Sequence, residues 1–152
     1  AKQMQRNPRV VGIKNSSMPA YDIEGFKRAF DRECIIFNGP DEQFVAGRAI
    51  GADGGVGGTY AAMPELFLKM DALCQANDFA AAEPIQHAVN TIIEAMCACR
   101  GNLYAVIKKV IELREGLPLG GVRLPMPNLE PEDMMQVHVC AEMIDAAIKS
   151  FA

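Results

Sequence analysis

Arg9-Val10-Val11-Gly12-Ile13-Lys14-Asn15-Ser16-Ser17 is an apolar, β-branched run that ends in a cation and three short polar residues. Such a run reads as a buried strand. A lysine closing it is expected to be half buried at the edge of a sheet. Lysine is rarely buried without a reason. Desolvation disfavours an ammonium ion and frees an amine that can attack a carbonyl. In parallel α/β folds, active sites are built at the carboxyl ends of strands. The competing reading is a lysine that has simply reached solvent, and on this segment alone that reading is the stronger.

Working outward, Glu33-Cys34-Ile35-Ile36-Phe37-Asn38 is a second apolar run, ending in Gly39-Pro40-Asp41-Glu42. A third, short and glycine-rich, is Gly51-Ala52-Asp53-Gly54-Gly55-Val56-Gly57-Gly58-Thr59-Tyr60. Two amphipathic stretches lie between them. Tyr21 to Asp31 carries Ile23, Phe26, Ala29 and Phe30 on one face, and Asp41 to Ile50 carries Phe44, Val45, Ala49 and Ile50. The order β-α-β-α-β-α is that of parallel strands joined by right-handed crossovers. Units of about 20 to 25 residues have the compact spacing of a (β/α) barrel.

Taken together, Val11 to Ser17, Phe37 to Glu42 and Gly51 to Tyr60 resemble the N-acetylneuraminate lyase branch of the dihydrodipicolinate synthase superfamily. The resemblance spans nearly the whole chain but only the second half of the family's sequence. It implies a TIM barrel and a class I, Schiff-base-forming aldolase that cleaves N-acetylneuraminate to N-acetylmannosamine and pyruvate without a metal or organic cofactor. It places Lys14 as the Schiff-base lysine on strand six, and the two later motifs on strands seven and eight. Ser16, Gly39, Asp41, Glu42 and Gly58 become substrate-binding residues. Ser16 stands where lyases often have threonine. Gly58 stands where a serine is common, so a side-chain hydroxyl is lost there. Sister enzymes, such as dihydrodipicolinate synthase or a keto-deoxy-sugar-acid aldolase, would share Lys14; Asn15-Ser16-Ser17 and Gly57-Gly58-Thr59-Tyr60 favour the lyase branch. A non-catalytic half-barrel binding module is a further alternative.

The chain has 152 residues, and a full barrel needs about 250. The family's carboxylate-binding loop and proton-relay tyrosine belong to strands one to five. The expectation is therefore a C-terminal half-barrel over 1–76, with three βα units, followed by a helical extension over 77–152. Ala1-Lys2-Gln3-Met4-Gln5-Arg6 reads as the tail of a helix. Three barrel strands alone would expose unpaired edges and an apolar face. Such a piece is expected to need its N-terminal half, as a missing or separate chain, or a copy of itself to be stable, and the family resemblance implies a homotetramer when complete.

Half the residues are hydrophobic and 22% are charged, with a formal net charge of -4. That balance argues against a nucleic-acid surface. No run is long enough for a membrane span and no signal peptide is visible. The five cysteines show no framework spacing. Cys97 and Cys99 suit neither a zinc knuckle nor a redox motif. Cys34, Cys74 and Cys140 read as small core residues. Reduced thiols fit a cytoplasmic compartment.

After the third strand, helices are expected over Pro64 to Ala76, from Asp78 or nearer Pro84 through Met96, from an Asn102 cap to a Gly116 stop, and from Pro131 onward. A proline-rich stretch, Leu117 to Pro131, separates the last two. Asp41 and Glu42 have two compatible readings: acids at a helix N-terminus, or acceptors for sugar hydroxyls. Without a third ligand they make no metal site. The glycines from Gly54 to Gly58 fail the dinucleotide fingerprint, though a phosphorylated substrate stays open after barrel strands seven and eight. His87 and His138 read as packing or surface residues, and the methionines as core or interface packing.

Overall fold

The computed structural model describes residues 3–152. Its elements, in chain order, are β1 (Gly12–Asn15), α1 (Tyr21–Ala29), β2 (Ile35–Asn38), α2 (Phe44–Ala49), β3 (Gly54–Gly55), α3 (Pro64–Gln75), α4 (Phe79–Cys97), α5 (Leu103–Glu115) and α6 (Asp133–Phe151). Short 3-10 turns occupy Met4–Arg6, Asp41–Gln43 and Thr59–Ala61. The helix tail expected at the start is thus a 3-10 turn at Met4–Arg6, with Ala1 and Lys2 outside the described residues.

Among the described residues the sheet has three strands, all parallel, in the order β1-β2-β3. The register pairs Lys14 with Phe37, Asn15 with Asn38, and Asn38 with Gly55. The carboxyl ends of the three strands therefore line up. β3 is only two residues long, where the sequence suggested a longer run. Its glycines offer no side chain to pack, so pairing stops once the chain leaves Asn38.

The chain forms two compact units, one running up to Gly57 and including Lys69–Gln86, the other Gly58–Leu68 with His87–Ala152. In the first, Ile23 of α1 and Ile36 of β2 are wholly buried with Cys34 and Ala52, and Ile13, Phe26 and Phe30 pack against them. This is the face read from the helical spacing of α1. Asp53 ties the sheet together. Its Oδ2 accepts from the Ile36 amide at 2.7 Å, its own amide donates to the Ile36 carbonyl at 2.8 Å, and Lys27 of α1 reaches its carboxylate at 2.6 Å. Arg48 of α2 pairs with Asp71 of α3 at 2.9 Å and donates to the Ala52 carbonyl.

In the second unit, α5 packs against α6. Val89, Ile92, Met96, Val106, Val110, Val137, Cys140 and Ile144 are buried there. The caps are those the sequence indicated: Asn102 Oδ1 accepts from the Tyr104 amide at 3.0 Å, and Gly116, at φ +70°, ends α5. α4 starts at Phe79, with Asp78 Oδ1 accepting from the Ala81 amide at 3.1 Å, and carries Pro84 inside its length. α6 begins two residues after Pro131, at Asp133. Asp133 is itself buried, and its carboxylate accepts from the amides of Arg100, Gly101 and Glu130. Those donors, Glu130 foremost, hold the carboxyl below the usual carboxylate range. The proline-rich stretch is irregular, pinned where Asn128 bonds both the amide and the carbonyl of Val122.

Cys34, Cys74 and Cys140 are buried, as read, and burial pushes the Cys140 thiol up to about 11. His87 and His138 are both exposed. Met63, Met70 and Met96 are core residues, whereas Met135 is 80% exposed.

Candidate functional site

Lys14 sits one residue before the end of β1, in register with Phe37 of β2. It is exposed, not half buried as the strand reading suggested. The cause is topological: β1 is the outer strand of this sheet, and no described strand flanks its far side. Ser16, the next candidate, is also exposed. Its Oγ lies over the α-carbon of Gly39, where a Cβ would come within 2.8 Å of it. The Gly39 amide donates to the Asn15 carbonyl at 2.7 Å. A side chain at 39 would push the ends of β1 and β2 apart, so glycine is a requirement of this close approach.

Asp41 and Glu42 follow on the 3-10 turn after β2. They part company: Asp41 is buried, and Glu42 is exposed. The backbone of Gly57 lies against the Asp41 carboxylate so closely that a Cβ there would overlap Oδ1. The glycine run after β3 thus brings bare backbone up to an acid at the end of β2.

Three buried or half-buried amides hold this turn. Asn38, wholly buried, donates from Nδ2 to the Pro40 carbonyl at 2.6 Å and accepts from Gln43 Nε2 at 3.2 Å. Gln43 Nε2 also reaches the Ser17 carbonyl at 3.3 Å. Gln86 of α4 donates to the Asp41 carbonyl at 3.1 Å and accepts from the Val45 amide at 2.9 Å. Sequence reading gave none of these a role. Gln86 shares α4 with Glu83, His87, Asn90, Thr91 and Glu94, so nothing in its own helix singled it out. At the end of β1, Ser17 Oγ lies 2.8 Å from Asn15 Oδ1 and 2.6 Å from Asp22 Oδ2, fixing the entry to α1.

Lys14, Ser16, Gly39, Asp41 and Glu42 therefore all lie at the carboxyl ends of two adjacent parallel strands. Gly58 belongs to the second unit, where the ring of Tyr104 lies against it. An exposed amine beside acceptors of both buried and exposed character can form a Schiff base with a carbonyl and bind a hydroxylated chain. Among the described residues, no group of three or more His, Cys, Asp or Glu side chains could hold a metal ion, and no helix is long and apolar enough to cross a membrane.

Comparison with known proteins places this geometry. The chain is 55% identical over 149 residues to an N-acetylneuraminate lyase of Mediterraneibacter gnavus, covering 98% of this chain and 47% of that one. It superposes on the wild-type sialic acid aldolase of Ruminococcus gnavus with a TM-score of 0.96 and 55% identity, covering 99% of this chain and 50% of that one. The catalytic lysine mutant of the same aldolase matches at 54% identity with a TM-score of 0.96, with 99% and 49% covered. The chain spans about half the length of the relatives it matches. The model of the dihydrodipicolinate synthetase family matches residues 1–144. On that match, and on the parallel strands whose ends carry Lys14 and Asp41, the chain belongs to the dihydrodipicolinate synthetase family.

Proposed function

We propose that this chain is the C-terminal part of a Schiff-base aldolase that cleaves N-acetylneuraminate to N-acetylmannosamine and pyruvate. The observation that carries the reading is Lys14 at the carboxyl end of β1 with Asp41 and Glu42 at that of β2, in a chain 55% identical to an N-acetylneuraminate lyase. On this reading β1, β2 and β3 are strands six, seven and eight of a (β/α)8 barrel within 1–76, and 77–152 is the extension. The strands before β1 come from an N-terminal half-barrel, which would cover Lys14. The complete enzyme is a cytoplasmic homotetramer.

In the mechanism, neutral Lys14 Nζ attacks C2 of the open-chain sugar acid. Loss of water gives an iminium, whose nitrogen accepts the electron pair of the breaking C3–C4 bond. The C4 hydroxyl gives up its proton as this bond breaks, and the aldehyde N-acetylmannosamine leaves. The remaining enamine takes a proton at carbon, and water hydrolyses the iminium to release pyruvate and restore the amine. Ser16 supplies a hydroxyl near the imine, while Gly39, Asp41 and Glu42 line the sugar side.

Incubating the complete enzyme with pyruvate and borohydride tests this. A stable adduct is expected on the peptide containing Lys14 and absent from Lys14→Ala. Labelling of another lysine would overturn the assignment.

A further inference from the structure

The ladder between β1 and β2 closes where the Gly39 amide donates to the Asn15 carbonyl at 2.7 Å. Past that bond the two chains part, one through Ser16 and Ser17, the other into the 3-10 turn Asp41–Gln43. Gln43 joins them again. Its Nε2 donates to the Ser17 carbonyl at 3.3 Å and to Asn38 Oδ1 at 3.2 Å. A primary amide nitrogen carries two hydrogens, so both bonds can be made at once. Each acceptor is itself held. The Ser17 amide donates to Asn15 Oδ1 at 3.4 Å, and Ser17 Oγ lies 2.8 Å from the same atom. Asn38 is wholly buried and donates from Nδ2 to the Pro40 carbonyl at 2.6 Å. Gly47 of α2 closes in on the same side chain, since a Cβ there would lie 2.6 Å from Asn38 Oδ1. Gln43 therefore spans two fixed points, one just beyond Lys14 and one on β2, and it directly follows the two acids.

We propose that Gln43 is a positioning residue for the sugar acid: its cross-tie fixes how far the turn bearing Asp41 and Glu42 stands from the strand end that carries Lys14. This rests on the aldolase reading, in which the substrate is bound covalently at Lys14 while its hydroxyls meet the acids. A substrate held at two places reacts well only while their spacing is kept. Pyruvate engages Lys14 without reaching the acids, so its trapping does not depend on that spacing. Removing the Gln43 amide leaves the buried Asn38 oxygen without this donor and lets the turn drift from β1.

The test uses the complete enzyme, with pyruvate trapping on Lys14 and cleavage of N-acetylneuraminate measured separately. Gln43→Met keeps the length of the side chain and removes both donors. It is expected to lower kcat/KM for the sugar acid about three- to thirtyfold while leaving the rate of pyruvate trapping unchanged. Gln43→Glu keeps the shape but turns a carboxylate oxygen toward two acceptors, so its loss of cleavage should exceed that of Gln43→Met, again with trapping intact. A residue that only filled space would give the opposite order, with the isosteric Gln43→Glu the milder change. If Gln43→Glu does not fold, Gln43→Met decides alone. Unchanged cleavage in Gln43→Met overturns the assignment, as do parent-like cleavage in Gln43→Glu, equal loss of cleavage and trapping, or failure of both variants to fold. If the unsubstituted enzyme neither traps pyruvate nor cleaves the sugar acid, the aldolase reading itself fails and takes this one with it.

Discussion

At the scale of single residues, the two acids after β2 illustrate what a spacing can and cannot convey. Their presence at a strand end was legible, because Gly39-Pro40-Asp41-Glu42 breaks an apolar run. Their different fates were not, because Asp41 is enclosed by Gly57 and by the amide of Gln86, which lies 45 positions away. Both should govern the sugar half of the substrate. A hydrogen bond to a charged acceptor contributes roughly 1.5 to 3 kcal/mol, so Asp41→Asn and Glu42→Gln are expected to lower kcat/KM for N-acetylneuraminate by about ten- to a hundredfold. Pyruvate trapping on Lys14 should stay nearly intact in both; equal loss of the two activities would assign the acids to the fold. The motif put Lys14 at the end of a strand, where it lies, and its exposure was missed because a strand's neighbours cannot be counted from its own residues. Asp53 was missed as a structural residue, since its partners Lys27 and Ile36 belong to other elements. Partial burial pushes its carboxyl up, but the Lys27 ammonium and the Ile36 amide outweigh this and hold it below the usual carboxylate range. A depressed carboxyl stabilises the fold above the unfolded value, about 3.9, and that contribution is lost as pH falls through the folded value. Asp53→Asn should therefore be less stable than the parent at neutral pH, and the gap in melting temperature should narrow as the pH is taken below about 4.

At the scale of elements, helices were read far better than the last strand. α1, α3 and α5 follow the apolar spacing, and α5 also announces both ends through Asn102 and Gly116. α4 was harder, because Pro84 argued for a late start while the Asp78 cap set an early one. β3 was overextended because glycines permit many backbones and so specify none. What the helical pattern hid is the charge that joins elements. Arg114, near the end of α5 and 11% exposed, donates to Asp145 of α6 at 2.8 Å and to the Ala62 carbonyl at 2.6 Å, with Glu65 of α3 at 3.6 Å. Arg114→Ala leaves a carbonyl and a carboxylate without this donor, and should destabilise by about 1 to 3 kcal/mol. Chemical denaturation measures this, and Arg114→Lys should recover only part of it, since an ammonium cannot hold three divergent partners.

For the whole molecule, the sequence conveyed the β-α order and the parallel sheet, because crossover helices and strand lengths are local signals. How the residues divide into compact bodies is not a local signal: α3 and α4 each run through both units, so no linker composition marks a boundary. The three-strand sheet also has a mechanical consequence. β2 is the middle strand, with a partner along each edge. The Ile35 amide donates to Val11, the Ile36 amide to Asp53, and at the strand end Gly39 donates to Asn15. A proton on any of these can be traded for deuterium only after a neighbour moves away. Mass spectra of peptides from deuterated protein should therefore show Ile35 to Gly39 as the last stretch of the sheet to gain mass, with Val10 to Ile13 ahead of it. The centre of the sheet would act as a clock for the opening of everything built around it.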